Sequence, residues 1–293
     1  MSDAARLTVV TGAAAPGRKR LTSILIHVAL IGASIAMLYP LLWLLAASVR
    51  PENEIFSSAS IIPSSFSLDA YFRGWNGLRT GFGVFFTNSF IISGLSVVGN
   101  VLACSMAAYA FARLEFRFKS FWFAMMLMTL MLPYQVTLIP QYVLFRQLGW
   151  VNTFLPLVVP KFLAADAFFI FLMVQFFRGL PKELDEAAIM DGCSPWRIYW
   201  KIILPLSTPV LATAAIFTFI WTWDDFFAPL VYLSDIRNFT VTLGLRAFTD
   251  AAGDSDWGAM FAMSILTLLP VMIFFLVFQR LLIEGIATTG MKR

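Results

Sequence analysis

The side chains of this 293-residue sequence that could do chemistry are few, and most lie inside apolar runs. Asn88, Asn100, Gln135, Asp166, Gln175, Thr218, Thr222, Asp224 and Asp225 are the polar groups embedded in such runs. An ionisable group in an apolar span costs free energy unless it is paired or hydrated, so each is a candidate for handling an ion or a solute. The aspartates could carry a coupling proton or ion, although Asp224 and Asp225 fall toward one end of their span, where water or a helix N-terminus could satisfy them. Trp221 and Trp223 could stack on a sugar ring; an interfacial belt or core packing would use them equally well. Asn100 and Gln175 suit hydrogen bonds between helices. The single histidine, His27, cannot build a metal or triad site alone, and no GxxxxGK[ST] phosphate cradle is present. Clustered His/Asp sets with metal or phosphate spacing, which a membrane-embedded enzyme would need, are also missing.

The elements that must position these groups follow from composition. At 59% hydrophobic and 13% charged residues, with 30 Phe and 13 Met, the chain falls far from the quarter or so of charged residues of a soluble domain. A mean hydropathy of +0.80 excludes disordered, nucleic-acid-wrapping and disulfide-stapled secreted chains and leaves lipid as the solvent. Six stretches, 21–48, 85–112, 120–143, 155–177, 204–228 and 258–280, have the length and apolarity of spanning helices. Counting basic residues loop by loop orients them. Arg6, Arg18, Lys19, Arg20, Arg113, Arg117, Lys119, Arg178, Lys182, Arg197, Lys201, Arg280, Lys292 and Arg293 all fall on one side, predicting both termini in the cytoplasm. The first span lacks a small-residue cleavage site and is expected to be a retained signal-anchor. The expected organisation is a cytoplasmic tail over 1–20 and a six-span membrane domain over 21–293, with an external segment at 49–84 and an internal loop at 178–204. Cys104 and Cys193, in a span and in that loop, are not expected to pair.

The internal loop is the most informative part of the chain. Pro181 sits at a helix start, with Glu183, Asp185 and Glu186 in the first turns, where the helix dipole favours negative charge. Leu184, Ala187 and Ala188 share the i, i+3, i+4 spacing of one narrow face, a surface that lets a partner approach the helix backbone. Gly192 can take the left-handed conformation that ends a helix, and Ser194-Pro195 is a cap and first-turn pair that starts another. Trp196, Tyr199, Trp200 and Ile203 give the second helix an aromatic stripe suited to the membrane interface, and Pro205 is expected to open the fifth span. Taken alone, this is either an amphipathic connector or a docking device.

The spacing Glu186-Ala187-Ala188, three residues, Gly192, nine residues, Ile202-Ile203-Leu204-Pro205 resembles the cytoplasmic loop signature of ABC importer permeases, EAA-x3-G-x9-I-x-L-P. The likeness extends along the chain through AAYAFARLEFRF, MLPYQVTLIPQYVLFRQLGWVNT, FLMVQFFRGLPKELDEAA, WTWDDFFAPLVYL and FQRLLIEGIATTGMKR to the second permease subunit of carbohydrate importers of the maltose type. That resemblance implies an all-α, six-helix type I importer permease that is not an enzyme. It holds no cofactor, while ATP and Mg are bound by a partner ATPase dimer. It further implies a homologous second permease, an extracytoplasmic solute-binding protein and a place in the bacterial cytoplasmic membrane, with no nucleic-acid partner. Within the loop, Glu186 would anchor to a basic ATPase residue, Ala187 and Ala188 would form the close-contact face, Leu184 and Met190 would be apolar plugs, and Gly192 the hinge. The solute pathway would draw on Asn88, Gln135, Asp166, Thr218, Trp221, Trp223 and Asp224, with the partner permease making most sugar contacts. In similar proteins the stretch Ala247–Trp257, here with Thr249, Asp250, Asp254 and Asp256, reaches into the solute-binding protein, and the tail 285–293 touches the ATPase dimer. A glycerophospho-compound, or an acidic oligosaccharide attracted by Lys161 and Arg146, stands beside the neutral oligosaccharide as cargo. An ion-coupled secondary transporter is the reading from a different class.

Overall fold

The computed structural model describes residues 16–57, 62–249 and 255–290, with side chains placed over 23–57, 62–249 and 255–279. The chain up to residue 15, Asp250, Asp254 and the side chains of the C-terminal tail therefore lie outside the described residues. The described residues contain no strand. The helices are α1 (Pro16–Ser48), α2 (Asp69–Asn76), α3 (Phe82–Arg113), α4 (Lys119–Thr129), α5 (Tyr134–Gln147), α6 (Leu155–Val158), α7 (Ala167–Gly179), α8 (Glu183–Met190), α9 (Pro195–Ile198), α10 (Leu204–Leu206), α11 (Thr208–Asp224), α12 (Phe227–Tyr232), α13 (Val241–Leu245) and α14 (Trp257–Gly290).

Four of the six expected spans are helical segments of spanning length and apolarity, at Ser23–Ser48, Phe82–Arg113, Leu155–Gly179 and Trp257–Gln279. The other two are bent, and the count reaches six only if each bent pair is one span. In the third, α4 and α5 meet at 99° across residues 130–133. Pro133 stands at the break in extended backbone (φ −60°, ψ 133°); its ring disfavours a helical residue before it and supplies no N–H. In the fifth, Pro195–Leu206 and α11 meet at 78° around Ser207. The bend therefore falls at Ser207, and the second segment of the span opens at Thr208 rather than at Pro205, because Pro209 withholds an N–H and crowds the carbonyl four residues back. It also stops at Asp224 rather than 228. Asp225 is extended (φ −65°, ψ 123°), and its Oδ1 accepts the Ala228 N–H at 3.2 Å to start α12 as a separate helix. The fourth span is continuous but irregular: Ala164 is left-handed (φ 53°) between a 3-10 turn at Val159–Leu163 and α7. Among its described residues, segment 49–84 holds a 3-10 turn at Glu52–Glu54, α2 and, from Phe82, the first residues of α3, and no helix of spanning length lies within it.

α3 is the central post. Its inward face is small and polar, with Ser89, Ser93, Ser96, Gly99, Asn100 and Ala103 buried, which lets α7 and α11 pack closely against it. The Asn100 amide donates to Thr218 Oγ1 at 2.7 Å, the interhelical bond expected of it, whereas Gln175 is exposed. One core, around Cys104, Tyr109, Met173, Phe177, Ile198 and Tyr199, lies at the loop end of the bundle. A second, around Phe82, Phe85, Trp223, Val241 and Met263, lies at the opposite end of α3. There α13 packs through Gly244, where an added Cβ would overlap the ring of the fully buried Phe85. Gly244→Ala should destabilise the fold by about 1–3 kcal/mol, the usual cost of overpacking, which outweighs the gain of about 1 kcal/mol from removing a helical glycine. A lowered unfolding midpoint of the detergent-solubilised protein is the check.

Candidate functional site

The loop between α7 and α11 forms the helix, turn, helix expected from its spacing. α8 carries Glu183, Asp185 and Glu186 in its first turn. It ends in a Schellman turn: the Cys193 N–H donates to the Ala188 carbonyl and the Gly192 N–H to the Ile189 carbonyl, both at 2.9 Å, with Gly192 left-handed at φ +74°. Ser194 then caps α9, its Oγ accepting the Arg197 N–H at 3.3 Å, with Pro195 in the first turn. A Cβ on Gly192 would meet no atom within 4 Å, so only the backbone opposes a side chain there. Gly192→Ala should cost about 1 kcal/mol of local stability, seen as faster amide hydrogen exchange across α8.

The faces of these helices divide differently from the expected stripe. Met190 is 87% exposed, and Leu184, Glu186, Ala187 and Ile189 are exposed with it. Ala188 is only 6% exposed and packs into the core of its own chain with Ile198 and Tyr199, so the edge of the bundle contact falls between the two alanines. The aromatic stripe splits likewise. Trp196 and Trp200 are exposed, while Tyr199 and Ile203 are buried, with the Tyr199 hydroxyl 2.8 Å from Ser105 Oγ. Tyr199, Trp200 and Ile203 all lie on a π-turn at Tyr199–Ile203.

A contact absent from the sequence reading fastens α8. Arg113, at the C-terminal end of α3, places Nη1 2.7 Å from Asp185 Oδ2 and donates from Nη2 to the carbonyls of Phe177 (2.7 Å) and Leu180 (2.8 Å) at the end of α7. Its two partner segments are close in sequence to each other and distant from it, and no local spacing signals the meeting.

Of the proposed pathway residues, Asp166 and Trp221 line a cavity of about 770 Å³. The walls also hold Thr129, Tyr134, Thr137, Gln141, Lys161, Thr222, Asp225 and Tyr232. The volume is within the range of small-ligand sites. Trp221 is 50% exposed and leans on Phe168, Phe169 and Phe217. Lys161 Nζ donates to Asp166 Oδ2 at 2.8 Å, so its charge is met inside the chain. The other candidates are placed elsewhere. Trp223 is fully buried, its indole N–H donating to the Thr267 carbonyl at 3.1 Å. Asn88 donates to the carbonyls of Arg237 and Phe239, both at 2.9 Å, and fixes the segment before α13. Thr218 is the acceptor of Asn100, while Gln135 and Asp224 are exposed and away from the cavity wall.

Outside the bundle, Thr249 and Asp256 flank the undescribed stretch of the Ala247–Trp257 segment. The Asp256 N–H donates to the Phe248 carbonyl at 3.1 Å, which closes the base of the loop. Asp256 also caps α14 through the Ala259 N–H (2.8 Å) and pairs with Arg73 (2.9 Å). Burial alone would raise its carboxyl, but the Arg73 and Ala259 hydrogen bonds and the Arg73 charge hold it below the usual range.

A helical bundle of spanning length, a half-open, part-polar cavity and a surface helix tied to the bundle floor define a membrane permease. Residues 99–287 match the binding-protein-dependent transport system inner membrane component, and the chain belongs to that family of ABC importer permeases. It is 37% identical to the arabinooligosaccharides transport system permease protein of Halalkalibacterium halodurans, over 87% of this chain and 91% of the relative. It is 33% identical to the sn-glycerol-3-phosphate transport system permease protein of Pectobacterium atrosepticum, over 89% and 94%. Its fold is that of a chain in the crystal structure of a bacterial ABC transporter that imports the acidic polysaccharide alginate, with a TM-score of 0.80, 23% identity and coverage of 90% and 97%.

Proposed function

We propose that this chain is the permease subunit of an importer for an uncharged oligosaccharide, working beside a homologous second permease. ATP hydrolysis on partner ATPase subunits, with their Mg, drives it through α8, and a solute-binding protein delivers the cargo at the face of the 49–84 and Ala247–Trp257 segments. Both termini then face the cytoplasm, in keeping with the bias of Lys and Arg toward that side. The observation that carries the cargo class is the cavity wall. Its hydroxyls, amide and aromatic faces, from Thr129, Thr137, Gln141, Tyr134 and Trp221, suit a sugar, and its one cation is paired with Asp166 and shares the wall with Asp225. No unmatched positive charge remains for a uronate or a phosphate, and Arg146 is not on the wall. Coupling rests on the exposed face of α8, where Glu186, Ala187, Leu184 and Met190 stand clear of the bundle.

The test is substrate-stimulated ATP hydrolysis by the reconstituted complex, with and without its solute-binding protein, across neutral oligosaccharides, uronate oligosaccharides and glycerophospho-compounds. Stimulation by a neutral saccharide, lost in Glu186→Lys, is the expected result. Stimulation by anionic compounds alone would overturn the cargo class, and transport by the purified chain on an ion gradient without ATPase would overturn the importer reading.

A further inference from the structure

We infer that Arg113 is a positioning residue for coupling: it carries displacement of α8 into the helices that wall the cavity. One guanidinium joins three elements. It projects from the end of α3, holds Asp185 in the first turn of α8, and binds the last carbonyls of α7 through Phe177 and Leu180. The joint is dry, since the Arg113 and Asp185 side chains are 4% and 17% exposed. Both helices it grips reach the cavity. α3 contributes Ile92 to the wall, and α7 begins at Ala167 and Phe168, beside Asp166. A push on the exposed face of α8 is therefore delivered to the ends of two cavity helices through charge-assisted bonds of 2.7–2.8 Å.

Static stability is a poor explanation for this joint. A buried ion pair gains little over a well-packed apolar substitute, and here the pair is incompletely satisfied, because Arg113 Nε and Asp185 Oδ1 are buried without hydrogen-bond partners. What the arrangement supplies is connectivity. A planar guanidinium can face a carboxylate with one nitrogen and two carbonyls with another, a geometry that a lysine ammonium cannot reproduce. Ala188 also ties α8 to the bundle, but through side-chain packing, which resists compression rather than tension.

The inference rests on the reading of the chain as an ATP-driven importer subunit and not on which solute is carried, so its test follows movement rather than uptake. In the complete complex in liposomes, with Cys193→Ser, a cysteine is placed at cavity residue Thr137 and its alkylation by a polar maleimide is timed with and without ATP and vanadate. In the parent, trapping changes the alkylation rate. Asp185→Asn and Arg113→Lys are expected to keep ATP hydrolysis within about twofold of the parent while shrinking the nucleotide-dependent change in alkylation at least about fivefold. Asp185→Glu, which keeps the charge, should restore most of the response. An undiminished response in Asp185→Asn would overturn the inference. So would equal loss of assembly and hydrolysis in Asp185→Asn and Asp185→Glu, which marks a packing role. A parent without any nucleotide response would overturn the importer reading itself, whereas an altered response confined to the variants bears on Arg113 alone.

Discussion

Replacing Ala188 with leucine should reduce solute uptake by the assembled transporter to less than about a tenth, while the complex still hydrolyses ATP. Ala188 is buried between α8 and its own core, beside Ile198 and Tyr199, so the added carbons have nowhere to go except by lifting α8 away from the bundle. Overpacking of this kind typically costs about 1–3 kcal/mol, too little to unfold a helical bundle but enough to displace one short surface helix. The exposed face of α8 is untouched by the change, so partner binding survives and only transmission fails. Ala187→Leu makes the contrast. Ala187 is exposed, its substitution leaves the isolated chain as stable as before, and its effect should appear as reduced co-purification of the ATPase. Uptake and hydrolysis in proteoliposomes, with the thermal midpoint of each purified chain, separate the two; normal uptake by the Ala188→Leu transporter would refute the assignment of faces.

The second large effect concerns charge in the cavity. Asp166→Asn should shift the preference of the transporter toward uronate oligosaccharides over neutral ones by about tenfold. The substitution removes the carboxylate that holds Lys161 at 2.8 Å and leaves the ammonium on the cavity wall without its direct ion-pair partner, with only the Asp225 carboxylate elsewhere on the wall to offset it. It does not disturb the start of α7, because the N–H groups of Phe169 and Ile170 bond to the Asp166 backbone carbonyl and not to its side chain. Competition between neutral and acidic oligosaccharides in the ATPase assay reads the shift directly. A preference that does not move would show that the Lys161 and Asp166 pair stands off the path of the solute.

What could be read from the sequence was local. Gly192, Ser194 and Pro195 announce a turn whose hydrogen bonds close within a few residues, and they form it as expected. Asn100, isolated in an apolar run, had to find a partner on a neighbouring helix and found Thr218. The faces of α8 could not be assigned that way. Leu184, Ala187 and Ala188 share a helical stripe, but which edge of it meets the bundle depends on how α8 is rotated, and Arg113 and the Schellman turn set that rotation from outside the helix. Trp223 and Asn88 show the same limit: a polar or aromatic group in a span declares a need for a partner, not whether that partner is a solute, the Thr267 carbonyl or the chain preceding α13. The bends of 99° and 78° were not foreseen either, because an apolar run of spanning length reads the same whether it is straight or broken.

The bend at 130–133 has a consequence for how a sugar is solvated. Leu130, Met131 and Leu132 spend their N–H groups on the carbonyls of Leu127, Met128 and Thr129, while among the described residues their own carbonyls accept no hydrogen bond. Inside a span, backbone in that condition is tolerated only where water or protein reaches it, and Leu130 and Leu132 are on the cavity wall. On the saccharide reading, the broken span can therefore offer main-chain oxygens at Leu130 and Leu132 as hydrogen-bond acceptors to the hydroxyls of a carbohydrate shedding its water. No side-chain substitution removes those acceptors. Selectivity can then drift with residues such as Asp166 and Trp221, while the dehydration barrier stays low for any polyol that fits.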